Sequence, residues 1–570
     1  MDAYEPNMDE YSQAVQKLED NGPPEDGWAN LAPQTEEQQH EDVAEGSRDD
    51  PDFEAITPAA DIDTADLGLI PHNYELDSRK ITNQQWLDMT LSLNKEQGDI
   101  HKFIVQWCTK MSMTYKTTER PKPFHIFVLG GAGTGKSHLV RTIVQTANRI
   151  LSIGQSAEDI VVIVCAFTGV AAFNIEGHTL HSAFNLPVNQ SRRDDYIRLS
   201  SEKLSSMRSK LGNLSLLIID EISMVGADHL YTIHRCLSEI MTSDEPFGGI
   251  SVIAVGDLSQ LPPVAQKQVF ESISEPIAAL YGSIWQKNFQ LIELQEIMRQ
   301  KDEKQFAETL NRIRTSNHTD DDVQLIKSRE IQNTSTIYPT TALHIFAFNK
   351  DVDSHNIEMI QKLKEPVIII TAIDSKTDEQ TGRIKNISFD EKKKPGGMLQ
   401  KLQLAVGARV MMTTNVDTSD GLVNSASGTV TGFIPLPPDS TNENFNTYRP
   451  KYVLVQFDEN RVGEKIRLKL RTLVPDGKST PIAVHEVTVK LRKFSSKRTQ
   501  FPLTLAWTVT IHKAQGRTVD QLVVSTKDSF KAGQMYTALS RVKTQDGLFI
   551  LGEFTSSKIS CNPKNCYRNG

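Results

Sequence analysis

A strand of apolar residues running straight into a glycine-rich turn constrains this chain more than any other feature. In HIFVLGGAGTGKSHLV, which begins at His125, the turn carries the spacing Gly130, Gly135, Lys136, Ser137, and an amphipathic helix pattern follows. The spacing satisfies G-x-x-x-x-G-K-[ST], in which backbone N–H groups and a helix N-terminus converge on phosphate oxygens. Gly130, Gly131, Ala132, Gly133, Thr134, Gly135, Lys136 and Ser137 are therefore the candidate nucleotide-binding residues. A turn of this kind sits between a parallel strand and its crossover helix, so the sequence predicts an α/β fold.

A bound nucleoside triphosphate needs more than a loop. Lys136 would reach the β- and γ-phosphates and Ser137 would hold Mg²⁺, but a metal bridging phosphates also requires a carboxylate. LSLLIIDE at 214 supplies one at the end of an apolar strand. Asp220 is placed to hold magnesium directly or through a water, and Glu221 to polarise a water against the γ-phosphate. After the next apolar strand, ISVIAVGD at 250, the turn GDLSQLPPV presents Asp257 and Gln260. A glutamine there can hydrogen-bond both the γ-phosphate and the attacking water. Hydrolysis of the triphosphate, rather than binding alone, is the expectation.

The rest of the chain divides by texture. Up to about Pro71 the sequence is acidic, with 20 Asp/Glu against Lys17 and Arg48 in residues 1–70, and it lacks the periodicity of a packed segment. The whole chain of 570 residues carries a net charge of −10, so the remainder is mildly basic, at +8. A nucleic-acid partner is compatible with that body. Helical patterns from Ile81 lead into the loop, and VVIVCAF at 161 joins the strands already named. A second α/β set includes EKQFAETLNRIR, LHIFAFN at 343, LAVGARVMMTTN at 404 and LTLAWTVTIHKAQG at 503. Between them, Gly-containing turns and period-2 runs such as KIRLKLR and VTVKLRK read as a small inserted β-barrel. Alternation puts Lys465, Arg467, Lys469 and Arg471 on one strand face, repeated by Lys490 and Arg492, as a basic track for DNA or as protective edge charge.

The expected boundaries are an acidic, disordered region at 1–75, a first lobe at 76–296, a second lobe at 297–416 and 501–557, the barrel at 417–500, and a tail at 558–570. Five scattered cysteines give no disulfide framework. No run of eighteen apolar residues occurs and the N-terminus MDAYEPNMDE is acidic, so neither a membrane span nor a signal peptide is expected.

Further along, the motifs are collinear with a known family. FTGVAAFNIEGHTLHSAFNLP, GDLSQLPPV, LQEIMRQ, VGARVMMTTNVDTSDGLVNSASGTVTGF, LAWTVTIHKAQGRTVD and MYTALSRVK resemble the ordered motifs of superfamily 1 DNA helicases of the petite-integration-frequency (Pif) type, relatives of RecD. The likeness covers about residues 90 to 555. It implies a P-loop NTPase of two RecA-like lobes, using ATP and Mg²⁺ to move 5′ to 3′ on single-stranded DNA and to open duplex junctions. Roles in DNA repair, recombination or telomere maintenance come with the family; the missing span and signal make a soluble, intracellular location the expectation, nuclear in a eukaryote, and a monomer is the favoured reading of an oligomeric state that the sequence does not give. The resemblance makes Gln97 the adenine reader and makes Arg299 and Arg541 the γ-phosphate arginines of the second lobe. It assigns Thr168, Thr510, His512 and Lys513 to the DNA strand; His181 and Phe184 are placed either to stack on its bases or to pack in the core. The lead-in DGWANLAPQTEEQQHEDVAEGSRDDPDF resembles sequence preceding helicase domains in Helitron-type mobile elements. The rival reading is an ATP-gated single-strand clamp or transposon-derived remnant without net unwinding.

Overall fold

Six parallel strands carry the phosphate loop. In the computed structural model, the described residues are 81–561 apart from 115–119, 187–197, 272–282, 299–302, 333–338, 379–383, 387–396, 436–447 and the isolated positions 154, 157, 158, 265, 340, 475, 492, 493 and 529. The expectations for the acidic N-terminal region, for Arg299, for Arg492 and for the C-terminal tail beyond residue 561 lie outside them. All described residues belong to one compact unit.

The first sheet consists of β1 (His125–Gly130), β2 (Val162–Ala166), β3 (His178–Thr179), β4 (Leu216–Asp220), β5 (Ser251–Gly256) and β6 (Gln290–Leu294). They lie in the order β3-β2-β4-β5-β1-β6, every pairing parallel. Strands β2, β4 and β5 are buried along their whole length, which is why they read as continuous apolar runs rather than alternating ones. One face packs against the helix Ala227–Met241 through Ile233 and Leu237. The other packs against the helices Lys95–Met113 and Lys136–Leu151 through Ile104, Leu139 and Ile143. Because every strand runs the same way, the residues following β1, β4 and β5 emerge at one edge of the sheet.

The second lobe starts with the helices Lys304–Arg314 and Asp320–Lys327 and the strands β7 (Glu330–Ile331) and β8 (Leu343–Phe346). The chain then leaves for a β-rich insertion: β9 (Ile368–Thr371), β10 (Ile373–Asp378), β11 (Ile384–Asn386), β12 (Lys401–Leu404), β13 (Arg409–Met412), β14 (Ser427–Ile434), β15 (Tyr452–Phe457), β16 (Thr480–Ile482), β17 (His485–Leu491), β18 (Phe494–Gln500) and β19 (Leu503–Leu505). It returns as β20 (Thr508–Thr510), β21 (Leu522–Ser525) and β22 (Leu548–Leu551), completing a parallel sheet in the order β20-β8-β21-β22-β7.

The insertion differs from expectation in three ways. Its strands begin at Ile368 and run to Leu505, well outside 417–500. Among the described residues they pair as an open antiparallel sheet, β16-β15-β14-β13-β19, a four-stranded sheet, β11-β10-β18-β17, and the pair β12-β9, so no closed barrel is seen. Finally, KIRLKLR is not a strand: Glu464–Lys469 is a helix and Arg471–Leu473 a 3-10 turn. The reason lies 45 residues upstream, where the buried Asp420 carboxylate accepts the Lys465 and Ile466 amides at 2.8 and 3.1 Å. Those are orphan donors of a first helical turn, and satisfying them from outside overrides the period-2 pattern. The one-sided basic strand face therefore does not exist. Arg467 instead donates to Val462 O, Asn460 O and Thr480 Oγ1, and the Lys490 side chain lies outside what is described.

Candidate active site and strand interface

The phosphate loop takes its shape from glycines at two positions. Gly133 and Gly135 adopt φ of +84° and +75°, the left-handed region that side chains disfavour. Lys136 begins the helix that follows, and its Nζ donates to the carbonyls of Gly130 and Gly131 at 2.7 and 2.9 Å. Burial lowers the Lys136 pKa, opposed by the charges of Asp257, Glu221 and Asp220. An ammonium resting on two neutral carbonyls, with three carboxylates near it, fits a site whose polyanion and metal are to be supplied from outside. Ser137 is exposed at the start of the same helix.

Asp220 ends β4 and is buried, and its Oδ1 accepts the Glu221 amide at 2.9 Å. Burial, and then the adjacent Glu221, push the Asp220 pKa up. Glu221 has φ +51°, a backbone cost for a non-glycine residue that turns the chain sharply out of the strand. Asp257 follows β5 and is fully buried, and Gln260 is 4% exposed.

The second lobe closes on this edge. Arg541 is buried, and its Nη2 lies 3.4 Å from Gln260 Oε1, while Nε donates to Thr537 O at 3.0 Å. Burial lowers its pKa, against the pull of Glu221, Tyr536 and Asp257. Gly533, with φ +79°, precedes the helix Gln534–Leu539, and a Cβ there would stand 2.9 Å from Ser259 O and 3.1 Å from Gln260 O. Only glycine lets that helix approach the Asp257–Gln260 turn so closely.

The structure thus brings together Lys136, Asp220, Glu221, Gln260 and Arg541. Gln97 also reaches the loop, but from beneath: fully buried, it donates Nε2 to Thr134 O at 2.9 Å and accepts the Asn94 amide at 3.2 Å. It is the third residue of a capping box with Asn94, a helix-start role beside the adenine-reading one that the resemblance implies.

Two residues at this edge lie within stretches quoted above but are given no role there. Arg314, from the second-lobe helix Lys304–Arg314, donates Nε to Asp257 Oδ1 at 2.9 Å. Burial works against its charge, but Asp257, Tyr536 and Glu293 together raise its pKa. Tyr536 donates to Asp257 Oδ2 at 2.7 Å and accepts the Ala132 amide at 3.1 Å. The sequence hint was slight: an arginine at the last turn of a helix, and a tyrosine within a wholly buried helix.

The expected strand-binding residues separate into two groups. Thr168 is half-buried and caps the helix Gly169–Asn174, accepting the Ala171 amide at 3.3 Å. His512 and Lys513 are half-buried and Thr510 is buried, all at the short helix Ile511–Ala514. Asn174 Nδ2 donates to Gly516 O at 3.4 Å, so the two segments meet across the lobes. Phe184 and His181, in contrast, are not stacking surfaces. Phe184 is 1% exposed within the first lobe's core, and His181 is 8% exposed, its ring set edge-on to Phe167 and His229. Both belong to a short helix whose apolar face is needed to cover β2 and β3, and burial drives the His181 pKa down to about 4.

One further contact crosses the lobes. Gln515, 4% exposed, donates Nε2 to Ser223 Oγ at 3.3 Å, two residues beyond Glu221. The segment 510–517 also accepts from Arg541, Nη1 to Arg517 O at 3.4 Å. A single stretch of chain therefore touches the strand side, the Glu221 turn and Arg541.

Residues 92–324 match the family described as PIF1-like helicase, and residues 394–433 match the DNA helicase Pif1 2B domain. The chain is 29% identical over 511 residues to the ATP-dependent DNA helicase PIF1 of Candida albicans, covering 77% of this chain and 53% of that protein. It is 30% identical over 486 residues to the ATP-dependent DNA helicase PIF1 of Xenopus laevis, covering 83% of this chain and 64% of that protein. The chain thus spans between about half and two thirds of the length of these relatives. Among solved structures, the Pif1 helicase from Candida albicans superposes with a TM-score of 0.61 at 29% identity, covering 83% of this chain and 97% of that one. The Bacteroides Pif1 complex with ADP-AlF3 and ssDNA gives 0.57 at 29% identity, with coverage of 82% and 94%. The lobes described above are the shared architecture, two RecA-like P-loop sheets. No described helix is long and apolar enough to cross a membrane.

Proposed function

Since the chain belongs to the PIF1-like helicase family, we propose that it is an ATP-dependent DNA helicase, moving 5′ to 3′ on single-stranded DNA as a monomer and separating duplex ahead of it. One observation carries the reading: Lys136, Asp220, Glu221 and Gln260 from the first lobe converge with Arg541 from the second. A site split between two bodies senses their closure, and closure is what a stepping motor must couple to hydrolysis.

Bound magnesium ATP supplies the electrophilic phosphorus and the negative charge that draws the two lobes together. Lys136 would exchange two neutral carbonyl acceptors for phosphate oxygens, and Ser137 Oγ and the Asp220 carboxylate would hold the metal. The Glu221 carboxylate accepts the proton of the attacking water. Gln260 orients that water and, through its amide oxygen, meets Arg541, which stabilises charge on the transferring group from the far lobe. Gln97 would read adenine by giving up its bond to Thr134 O. Arg299 is the second γ-phosphate arginine of this proposal.

Thr168 on one lobe and Thr510, His512 and Lys513 on the other would grip backbone phosphates of the strand, a sequence-tolerant mode suited to translocation. The lobes act as the two grips, the division falling near residue 297. Displacement of a labelled strand from 5′-tailed and 3′-tailed duplexes tests the proposal. ATP-dependent release from the 5′-tailed duplex alone is expected. Hydrolysis with release from neither would leave a strand clamp, and release from the 3′-tailed duplex alone would reverse the polarity.

A further inference from the structure

The Ala132 amide belongs to the phosphate loop, whose N–H groups exist to meet anionic oxygens. Here it donates to Tyr536 Oη at 3.1 Å. A phenol has a single proton, and that of Tyr536 goes to Asp257 Oδ2 at 2.7 Å. Toward the loop the hydroxyl therefore presents only lone pairs, as a phosphate oxygen would. The arrangement is enclosed, with Tyr536 at 2% exposure and Asp257 at 0%. It is also braced, because Asp257 Oδ1 takes Arg314 Nε at 2.9 Å and the Ser259 amide at 3.1 Å. Burial raises the Tyr536 pKa further still, so the hydroxyl stays neutral and the proton stays on the Asp257 side.

We propose that Tyr536 is a positioning residue of the nucleotide site, whose hydroxyl holds the Ala132 amide in place of a phosphate oxygen and therefore competes with bound nucleotide. The inference rests on the phosphate-loop reading given above. Its consequence reaches the opposite side of the cleft. Tyr536 rides on the helix Gln534–Leu539, and Arg541 is tied to that helix through Thr537 O at 3.0 Å. A phosphate that takes over the Ala132 amide leaves Tyr536 tied to Asp257 alone, so the helix carrying Arg541 loses one of its two polar anchors on the first lobe at Tyr536 and can shift over the Asp257–Gln260 turn. Arrival of phosphate on one lobe becomes movement of an arginine on the other.

Tyr536→Phe removes the hydroxyl and keeps the ring, so the competition disappears while the packing stays. A net hydrogen bond of ordinary strength sets the expected effect at about fivefold: a fluorescent ADP analogue with Mg²⁺, titrated into the full chain without DNA, binds that much more tightly to the variant. Equal or weaker binding by Tyr536→Phe overturns the proposal, because a residue that merely supported the fold would loosen the site. A second measurement needs only the wild-type chain. In nucleotide-free protein the Ala132 amide is slow to exchange its hydrogen with solvent, and free exchange there overturns the proposal as well. A wild-type chain that fails to bind the analogue at all overturns the phosphate-loop reading instead.

Discussion

Replacing Arg541 with alanine separates a group that acts on the reaction from one that only binds. Its side chain donates to Thr537 O, Arg517 O, Ser540 Oγ and Gln260 Oε1. No loop amide and no atom of Lys136 depends on it, so its loss leaves the first-lobe phosphate cradle intact. The bonds it does make are worth about 1.5–3 kcal/mol in fold stability when a charged donor is removed. An arginine supplied across a cleft is worth roughly 10³-fold in turnover, or about 4 kcal/mol of barrier. That exceeds what the ground-state contacts can account for, so the effect belongs on kcat. Steady-state ATP hydrolysis with saturating single-stranded oligonucleotide is expected to show kcat down about 10³-fold and KM within about threefold. Arg541→Lys should recover little, because a single ammonium cannot face Thr537 O and Gln260 Oε1 together. A variant with normal kcat and a KM raised tenfold or more would refute the reasoning and make Arg541 a binding residue.

Lys136→Ala should abolish ATP hydrolysis while nucleotide-free affinity for single-stranded DNA, read by fluorescence anisotropy, stays within about twofold, because the side chain contacts only loop carbonyls. Gln515→Ala should lower the ratio of DNA-stimulated to unstimulated hydrolysis about tenfold, the scale of a coupling contact between sites; an unchanged ratio would show that its bond to Ser223 carries nothing. Arg498→Met should destabilise the insertion by about 3–5 kcal/mol, since Asp374, held bidentately at 2.8 Å in a pair that is 0% and 3% exposed, would be left charged and buried. Local hydrogen exchange in β10 and β18 checks it, and the paired change Arg498→Met with Asp374→Leu should restore most of the loss. Burial lowers the pKa of His178 and His181 to about 4 and of His229 to about 3, so these groups favour folding fully above about pH 6.5, and that stability drains as pH falls toward 4. Each contributes about 1.4 kcal/mol per pH unit in that window, and a first-lobe melting temperature equal at pH 7.5 and pH 5 would contradict this.

What the sequence disclosed and what it withheld follow from how far apart the deciding residues lie. The strand ending at Gly130 and the runs ending at Asp220 and Gly256 were legible because burial on both faces writes itself as unbroken apolar stretches, and parallel order then places their ends at one edge. The helix Glu464–Lys469 was not, because its first turn is satisfied by Asp420, a residue no local window contains. Phe184 and His181 misled for a related reason: an aromatic beside a strand-binding motif looks the same in sequence whether it faces DNA or covers β2.

The deepest omissions are the contacts between lobes. Tyr536 meets Asp257 from 279 residues away, Arg541 meets Gln260 from 281 and Gln515 meets Ser223 from 292. Each pair joins a residue at the carboxyl edge of the first sheet to one on the second lobe's returning strands and helices. Such a pair has no periodicity, and even where a motif marks the members singly, as for Gln260 and Arg541, no local pattern joins them. Loop chemistry can be read along a chain because the phosphate imposes it on consecutive amides. Coupling cannot, because it is a property of the closed pair of lobes. The insertion accentuates the separation, since more than 130 residues, from Ile368 to Leu505, intervene between β8 and β20 of one sheet. It is also fastened to the first lobe: a Cβ on Gly421 would meet the Phe173 ring at 2.6 Å, and Arg461 lies 5.2 Å over the same ring. Phe173 belongs to the helix capped by Thr168. The Thr168 turn of the first lobe, proposed above to grip the strand, thus rests on the second lobe's insertion, and a change in lobe spacing cannot leave that turn where it was.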